Sequence, residues 1–272
     1  MNDKMLVQTI TFPSVMEMFG IGKEICVIAG PCSIENKDQL ESIARAIKQQ
    51  KVRFIRGGAY KPRTSPYEFQ GLGMEGLKLL KYVAKKYSLI SVSEVLDPRD
   101  VEKSNEYVDM IQIGSRSMQN TALLKEVGKT KKPILLKRGM MSTLNEFLNA
   151  AEYVVLEGNE NLILCERGIR TFENSTRNTL DISSIAIIKK ETSLPVIADL
   201  SHSLGRKDIL EPIAKSVIAL GVDGIMVEVH NNPAIALSDA KQQLSLEEFK
   251  SFINNLDDSP LRTDIHGLTR PG

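Results

Sequence analysis

Apolar runs and amphipathic segments alternate along this chain. Eight short, mostly apolar runs read ICVIAGPC, FIRGGAYKPR, LISVSE, MIQIGSR, PILLK, LILCER, PVIADLSH and GIMVE. Segments with helical periodicity lie between and after them, at about 36-50, 74-87, 98-107, 120-130, 143-157, 176-192, 207-220 and 246-256. Near-continuous apolar runs are typical of strands that are covered on both faces, as in parallel sheets. Eight strand–helix units predict an α/β fold of the (β/α)8 TIM-barrel type.

An open doubly wound sheet fits the sequence less well. Such a sheet normally has fewer strands and a glycine-rich phosphate turn after the first strand, and neither GxGxxG nor a Walker A motif occurs. We therefore expect one catalytic barrel over 23-258. Residues 1-22 are predicted to be an N-terminal extension, folded as a short hairpin or as a cap under the barrel, and 259-272 a polar C-terminal tail.

Charge and composition exclude several classes of partner. The 272 residues carry 35 Lys and Arg against 34 Asp and Glu, so the net charge of +1 provides no global attraction for nucleic acid or for an anionic membrane. No apolar stretch is long enough to span a bilayer, and no secretory signal is visible at the N-terminus. Three cysteines, all in or beside predicted strands, indicate reduced thiols and a cytoplasmic protein.

Charged residues follow the apolar runs at the positions where the predicted strands end. A charge placed beside buried strands costs several kcal/mol unless it is paired or liganded, roughly as measured for other buried ions. Six of these residues are cations: Arg56, Lys61, Arg63, Arg116, Lys137 and Arg167. Because active sites of TIM barrels form at this end of the strands, we expect the cations to bind two phosphates and a carboxylate. One or two of them are expected instead to form salt bridges with Glu94, Glu166 or Asp199.

A second group of residues at the same strand ends could bind a metal. It comprises Cys32, His202, Glu228 and Asp239, which follow the first, seventh and eighth strands. Thiolate, imidazole and carboxylate together suit Mn, Fe, Co or Zn. The alternatives are a buried thiol at Cys32 and a loop histidine at His202. His230 is interpreted as a possible loop residue near the mouth and His266 as part of the tail.

Long motifs in this chain resemble one enzyme family. They are AGPCSIE at 29-35, GAYKPRTSPYEFQGLG at 58-73, QIGSRSMQN at 112-120, KPILLKRGM at 132-140, LCERGIRTFE at 164-173, TRNTLDIS at 176-183, DLSHSLGR at 199-206 and EVHNNPAIALSDA at 228-240. In this order they resemble the 3-deoxy-D-arabino-heptulosonate 7-phosphate (DAHP) synthases, in the short type Iβ form without a regulatory domain. The resemblance extends from Cys26 to about Phe249.

The resemblance implies a metal-dependent transferase. The expected reaction condenses phosphoenolpyruvate with erythrose 4-phosphate and water, and it yields DAHP and phosphate as the first step of the shikimate pathway to the aromatic amino acids. It further implies an aldolase-type barrel, small-molecule substrates, and a homo-oligomer, with a tetramer favoured.

The resemblance also implies a role for each candidate residue. Cys32, His202, Glu228 and Asp239 are expected to bind the divalent metal. Phosphoenolpyruvate is expected to be bound by Arg56, Arg116, Lys137 and Arg167. The sugar phosphate is expected to be bound by Lys61, Arg63, Thr64 and Ser65. Lys61 is also the expected proton donor, with Glu94, Asp199 or a metal-bound water as relay.

Some positions depart from the usual residues of the family, namely Leu200, Ser203, Leu204 and Ala240. We expect these changes to border the sugar-phosphate end of the site and to bear on the choice of aldehyde. The alternative function is that of a 3-deoxy-D-manno-octulosonate 8-phosphate synthase, which takes arabinose 5-phosphate. That family typically has KANRSS where this chain has KPRTS, which favours the DAHP synthase function.

Overall fold

Eight parallel strands close into a barrel in the computed structural model, which describes residues 5–21 and 25–257. Each strand pairs with the next along the chain, and β8 pairs with β1 from Cys26 opposite Gly224 to Gly30 opposite Glu228. The strands are β1 Cys26–Gly30, β2 Phe54–Arg56, β3 Ile90–Val95, β4 Met110–Ile113, β5 Ile134–Lys137, β6 Leu162–Glu166, β7 Val196–Asp199 and β8 Gly224–Glu228. The predicted (β/α)8 TIM barrel is confirmed.

Helices alternate with the strands and cover the outside of the barrel. They are α1 Val15–Met18, α2 Lys37–Gln49, α3 Met74–Tyr87, α4 Val101–Tyr107, α5 Thr121–Gly128, α6 Leu144–Leu156, α7 Ile182–Glu191, α8 Leu200–Leu204, α9 Leu210–Ala219 and α10 Leu246–Asp257. Side-chain caps fix several of the starts. At α6, for example, Thr143 Oγ1 accepts a hydrogen bond from the Glu146 N–H while the Glu146 carboxylate accepts one from the Thr143 N–H.

Two hydrophobic layers hold the barrel together. The outer layer lies between strands and helices, and α2 contributes Leu40, Ile43 and Ile47 to it from one face. The inner layer fills the barrel itself with side chains such as Ile28 and Phe54. Residues of β-strands are therefore buried on both faces, which explains their near-continuous apolar sequence.

Within residues 5–21, the N-terminal segment packs against the bottom of the barrel with helical turns, and no strand of a hairpin forms there. Val15 and Met16 of α1 pack with the inner layer. The ring of Phe19 meets that of Phe54 edge to face, with centroids 5.2 Å apart. The predicted boundary at residues 22 and 23 falls at a stretch that the structure does not describe, as does the predicted tail 259-272 with His266, so both stay predictions.

Replacing Phe54 with alanine should destabilise the barrel by about 3–5 kcal/mol, because the cavity would open where the inner layer meets the N-terminal segment. Phe54 is 1% exposed. Denaturant unfolding monitored by circular dichroism measures the loss. Leu156, which is 64% exposed at the end of α6, provides the control, and Leu156→Ala should change stability by at most about 0.5 kcal/mol. A loss below about 1 kcal/mol for Phe54→Ala would contradict this packing.

The predicted helix over 176-192 is wrong at its start. In the structure α7 begins at Ile182, after Asp181 accepts a hydrogen bond from the Ser184 N–H. The preceding residues bond elsewhere: the Arg177 N–H donates to the Leu204 carbonyl and the Asn178 N–H donates to the Ser203 carbonyl. These bonds attach the loop after β6 to α8, a short helix that the periodicity did not predict.

No helix within residues 5–21 and 25–257 is long and apolar enough to cross a bilayer.

Candidate active site

The C-terminal ends of the strands surround one pocket, a cavity of about 260 Å³. Most of the predicted site residues line it: Arg56, Lys61, Arg63, Thr64, Glu94, Arg116, Lys137, Arg167, His202 and Asp239. Cys32, Asp199 and Glu228 are completely buried beside these residues. Ser65 is partly buried in the loop after β2, where its Oγ accepts a hydrogen bond from the Tyr67 N–H. The barrel thus brings cations and candidate metal ligands to one mouth.

The four candidate metal ligands form a compact cluster. One potential ligand atom from each of Cys32, His202, Glu228 and Asp239 lies within 4.8 Å of the others. Cys32 Sγ is 3.3 Å from Asp239 Oδ2, and His202 Nε2 is 3.3 Å from Glu228 Oε1. Four donors of this kind at this spacing fit a divalent metal of intermediate softness. Sequence reasoning grouped the same residues, and their role as ligands stays a prediction.

A tight bend at the end of β1 places Cys32 in this cluster. Gly30 has a φ of +149°, and a Cβ there would lie 2.0 Å from the Arg56 carbonyl oxygen. Glycine is required because the backbones of β1 and β2 approach so closely. Burial, followed by the charge of Glu228, raises the pKa of the Cys32 thiol to about 12. A thiolate at this position therefore needs a strong positive charge, which a bound cation would provide.

His202 is oriented by Asp199. Asp199 caps α8, where its Oδ1 accepts a hydrogen bond from the His202 N–H, and its Oδ2 lies 2.7 Å from His202 Nδ1. The ring therefore presents Nε2 to the ligand cluster, as metal-binding histidines do when a carboxylate holds the other nitrogen. Burial lowers the pKa of His202, which favours the neutral imidazole. Burial alone would raise the pKa of Asp199, but His202 and Lys137 outweigh it and hold it well below its usual value.

Cations contact members of the cluster. Lys61 Nζ is 3.1 Å from Cys32 Sγ, and Arg56 Nη1 is 3.0 Å from Glu228 Oε1. The charge of Arg56 offsets part of the repulsion between the carboxylates of the cluster. Burial would lower the pKa of Lys61, but the acidic groups around it, Cys32 first, more than offset this and raise it.

The predicted salt bridges are confirmed in part. Lys137 pairs with Asp199. Glu166, however, pairs with Arg138, 2.9 Å away, and not with one of the six predicted cations. Arg138 follows Lys137 directly, so its side chain lies on the opposite side of β5 and reaches the buried polar groups behind the barrel wall. Strand alternation explains why neighbouring cations have different partners.

Glu94 lines the same pocket. It is half-buried at the end of β3, and Gln112 Nε2 lies 3.4 Å from its Oε2. A Cβ on Gly114 would lie 1.9 Å from Glu94 Oε1, so the glycine leaves room for this carboxylate. Glu94 is thereby available to groups bound in the pocket.

Sequence reasoning missed Arg177, which lines the pocket. Its Nη1 is 3.1 Å from Asp239 Oδ2 and donates to Gln242 Oε1 at 2.7 Å. Burial would raise the pKa of Asp239, but Arg177 outweighs it and holds that pKa well below its usual value. Arg177 lies in the TRNTLDIS motif, and its basic charge shortly after β6 was the available signal. The predicted helix over 176-192 obscured it.

The unusual residues of α8 are buried and do not line the pocket. Leu200 and Leu204 belong to the outer hydrophobic layer. Ser203 Oγ donates to the Asp199 carbonyl at 2.8 Å, within the helix turn. Their effect on the choice of aldehyde stays a prediction. Ala240 is partly buried beside Asp239.

His230 lies in the loop after β8, as interpreted, but its side chain is buried. It is 2% exposed, its Nδ1 accepts a hydrogen bond from the Asn232 N–H, and its Nε2 lies 3.3 Å from Glu35 Oε1. The three cysteines, Cys26, Cys32 and Cys165, are free thiols, as predicted.

Comparisons with known proteins indicate the family of this chain. A phospho-2-dehydro-3-deoxyheptonate aldolase of Thermotoga maritima is 53% identical over 230 residues, which are 85% of this chain and 68% of that protein. A crystal structure of a Thermotoga maritima protein of the same name, also called DAHP synthase, superposes with a TM-score of 0.86 at 49% identity and covers 91% of this chain and 72% of that one. A 2-dehydro-3-deoxyphosphooctonate aldolase of Syntrophotalea carbinolica is 30% identical over 256 residues, 88% of this chain and 91% of that protein. The model of the DAHP synthetase I family matches residues 8–261, and this chain belongs to that family.

Proposed function

We propose that this protein condenses phosphoenolpyruvate with erythrose 4-phosphate and water to give DAHP and phosphate, the first step of the shikimate pathway. The observation that carries the proposal is that the six predicted cations and the cluster of four candidate metal ligands lie together at one pocket. Binding two phosphates and a carboxylate requires several cationic side chains, and an aldehyde requires a group that makes its carbon more electrophilic. The similarity to the Thermotoga maritima protein supports the same reaction.

Cys32, His202, Glu228 and Asp239 would hold a divalent metal, namely Mn, Fe, Co or Zn. When bound, such an ion supplies Lewis-acid polarisation of the aldehyde oxygen. The donor set supports this proposal because it combines one thiol, one oriented imidazole and two carboxylates. The same set does not select among the four metals.

The cations bind and orient phosphoenolpyruvate. Arg116, Lys137 and Arg167 are assigned to its phosphate, and Arg56 and Lys61 to its carboxylate. Arg63, Thr64 and Ser65 are assigned to the phosphate of the sugar. Fixing both substrates in one pocket removes much of the entropic barrier to their reaction. The new bond forms between C3 of phosphoenolpyruvate and the aldehyde carbon.

Water then adds at C2, and the C–O bond to phosphate breaks so that inorganic phosphate leaves. Arg116, Lys137 and Arg167 stabilise the departing anion. Lys61 donates a proton to the oxygen that was the aldehyde oxygen. Asp199 is a poor relay because both of its oxygens are engaged and its pKa is low, so it serves as the positioning partner of His202 and Lys137. Glu94, which faces the pocket, is the better relay.

Erythrose 4-phosphate should be the preferred aldehyde over arabinose 5-phosphate. Arabinose 5-phosphate is one carbon longer, and the chain is 53% identical to the phospho-2-dehydro-3-deoxyheptonate aldolase but only 30% identical to the 2-dehydro-3-deoxyphosphooctonate aldolase, which supports this preference. A steady-state assay of phosphoenolpyruvate loss with each aldehyde measures kcat/KM, and we expect a ratio of at least about 100 in favour of erythrose 4-phosphate, the size of effect that a steric mismatch produces. Faster turnover with arabinose 5-phosphate would instead establish the octulosonate synthase activity.

We further place the protein in the cytoplasm as a homotetramer. The free thiols support the location. Large apolar side chains exposed on loops around the mouth, such as Tyr67, Phe172 and Ile235, are compatible with burial between subunits.

A further inference from the structure

The loop between β8 and α10 carries Asp239 to the ligand cluster, and polar contacts hold much of it in place. Its outer part is exposed: Ile235 is 67% exposed and Leu237 is 52% exposed. Asp239 itself has a φ of +47°, a conformation that a residue with a side chain adopts at some cost. The position of the Asp239 carboxylate therefore depends on what fastens this loop to the rest of the barrel.

Glu35, in the loop after β1, makes one of the contacts that hold this loop in place. Its Oε1 accepts a hydrogen bond from the Leu237 N–H at 2.9 Å, two residues before Asp239. The same oxygen lies 3.3 Å from Nε2 of His230, at the start of the loop. One carboxylate oxygen thus joins the start and the middle of this loop to the segment that also carries Cys32.

The hydrogen-bonding partners of the His230 ring define which of its two nitrogens carries the proton. His230 Nδ1 accepts from the Asn232 N–H at 3.0 Å, so in the neutral ring Nε2 carries the proton and donates to Glu35. Both bonds to Glu35 are then donated to a single oxygen. A glutamine amide oxygen can accept the same two bonds, because it has two lone pairs.

We infer that Glu35 is a positioning residue that fastens the β8 loop and thereby sets the affinity of the Cys32, His202, Glu228 and Asp239 cluster for a divalent metal. The inference rests on the proposed metal site but concerns a residue outside it. Ser33 and Ser238 tie the inner part of the loop, with their Oγ atoms 2.7 Å apart. Glu35 acts farther out, where Leu237 would otherwise be held mainly by Arg63.

The test titrates Co²⁺ into metal-free full-length protein and follows the absorption of the thiolate–cobalt bond. Glu35→Ala should weaken cobalt binding about tenfold, as loss of an outer-shell contact typically does. Glu35→Gln should bind within about twofold of the wild type, because it keeps both hydrogen bonds. Asp38→Ala, an exposed acid-to-alanine change at the start of α2, is the matched control and should also bind like the wild type.

Two further measurements separate positioning from a general loss of structure. Hydrogen exchange over 231-241 should be faster in Glu35→Ala than in Glu35→Gln, while exchange in the barrel strands stays unchanged. At saturating metal, kcat of Glu35→Ala should return to within about threefold of the wild type, since the chemistry itself is intact.

The outcomes distinguish the inference from the proposed function. If the wild type binds no cobalt, the proposed metal site is wrong. If the wild type binds and Glu35→Ala binds equally well, the positioning role is wrong. If Glu35→Gln is as weak as Glu35→Ala, the charge of Glu35 acts in place of its hydrogen bonds, and the inference is overturned as well.

Discussion

Replacing Cys32 with alanine is expected to reduce kcat at least about 1,000-fold, because the site would lose the one soft ligand that fixes the metal beside the aldehyde. Treating the wild type with EDTA should abolish turnover, and added Mn²⁺ should restore it. The same addition should not restore Cys32→Ala. Steady-state assays of phosphoenolpyruvate loss, before and after chelation, measure both effects.

Cys26→Ala is the matched control for this experiment. Cys26 is a buried thiol like Cys32, but it begins β1 at the bottom of the barrel and belongs to the inner hydrophobic layer. Its replacement should cost about 1 kcal/mol of stability, the usual effect of a small core deletion, and leave the response to EDTA and Mn²⁺ unchanged. Full activity of Cys32→Ala after chelation and renewed addition of Mn²⁺ would refute Cys32 as a ligand.

Lys61→Met should lower kcat by about 100- to 10,000-fold, the range typical for loss of a proton donor in general acid catalysis. Lys61 is buried at the pocket, and it contacts Cys32 Sγ. Its ammonium is therefore within reach of a substrate oxygen bound next to the ligand cluster. The KM for phosphoenolpyruvate should rise as well, since a charge assigned to its carboxylate is lost.

Binding measurements separate the two roles of Lys61. Cobalt absorption should persist in Lys61→Met, because Lys61 is not a ligand. Lys78→Met, an exposed change on α3, should keep wild-type kinetics. A kcat within about tenfold of the wild type would show that another group donates the proton.

The sequence alone predicted the barrel and most of the site for definite physical reasons. Strands that are buried on both faces must be apolar until they reach the mouth, so the first charged residues, such as Lys137 and Glu228, mark the strand ends. Closure of the barrel makes β1 and β8 neighbours, which places Cys32 beside Glu228 although they are far apart in the chain.

What the sequence did not predict depends on side-chain partners. Lys137 and Arg138 look alike in sequence, but the first pairs with Asp199 and the second with Glu166. Arg177 was missed because the apolar spacing after it continues into α7. Hydrogen bonds from the backbone of residues 177 and 178 to α8 keep them out of the helix, which begins only at Ile182, and no local sequence pattern records those distant acceptors.

The pairing of β1 with β8 also bears on how the chain folds. The cluster combines Cys32 from the first strand unit with Glu228 from the last strand, so a nascent chain that lacks β8 offers an incomplete set of ligands. A metal that binds the closed barrel and not the open one adds about 2.7 kcal/mol of stability at 100 times its Kd. Metal supply should therefore raise the yield of folded protein at a late step of folding, after synthesis of the last strand.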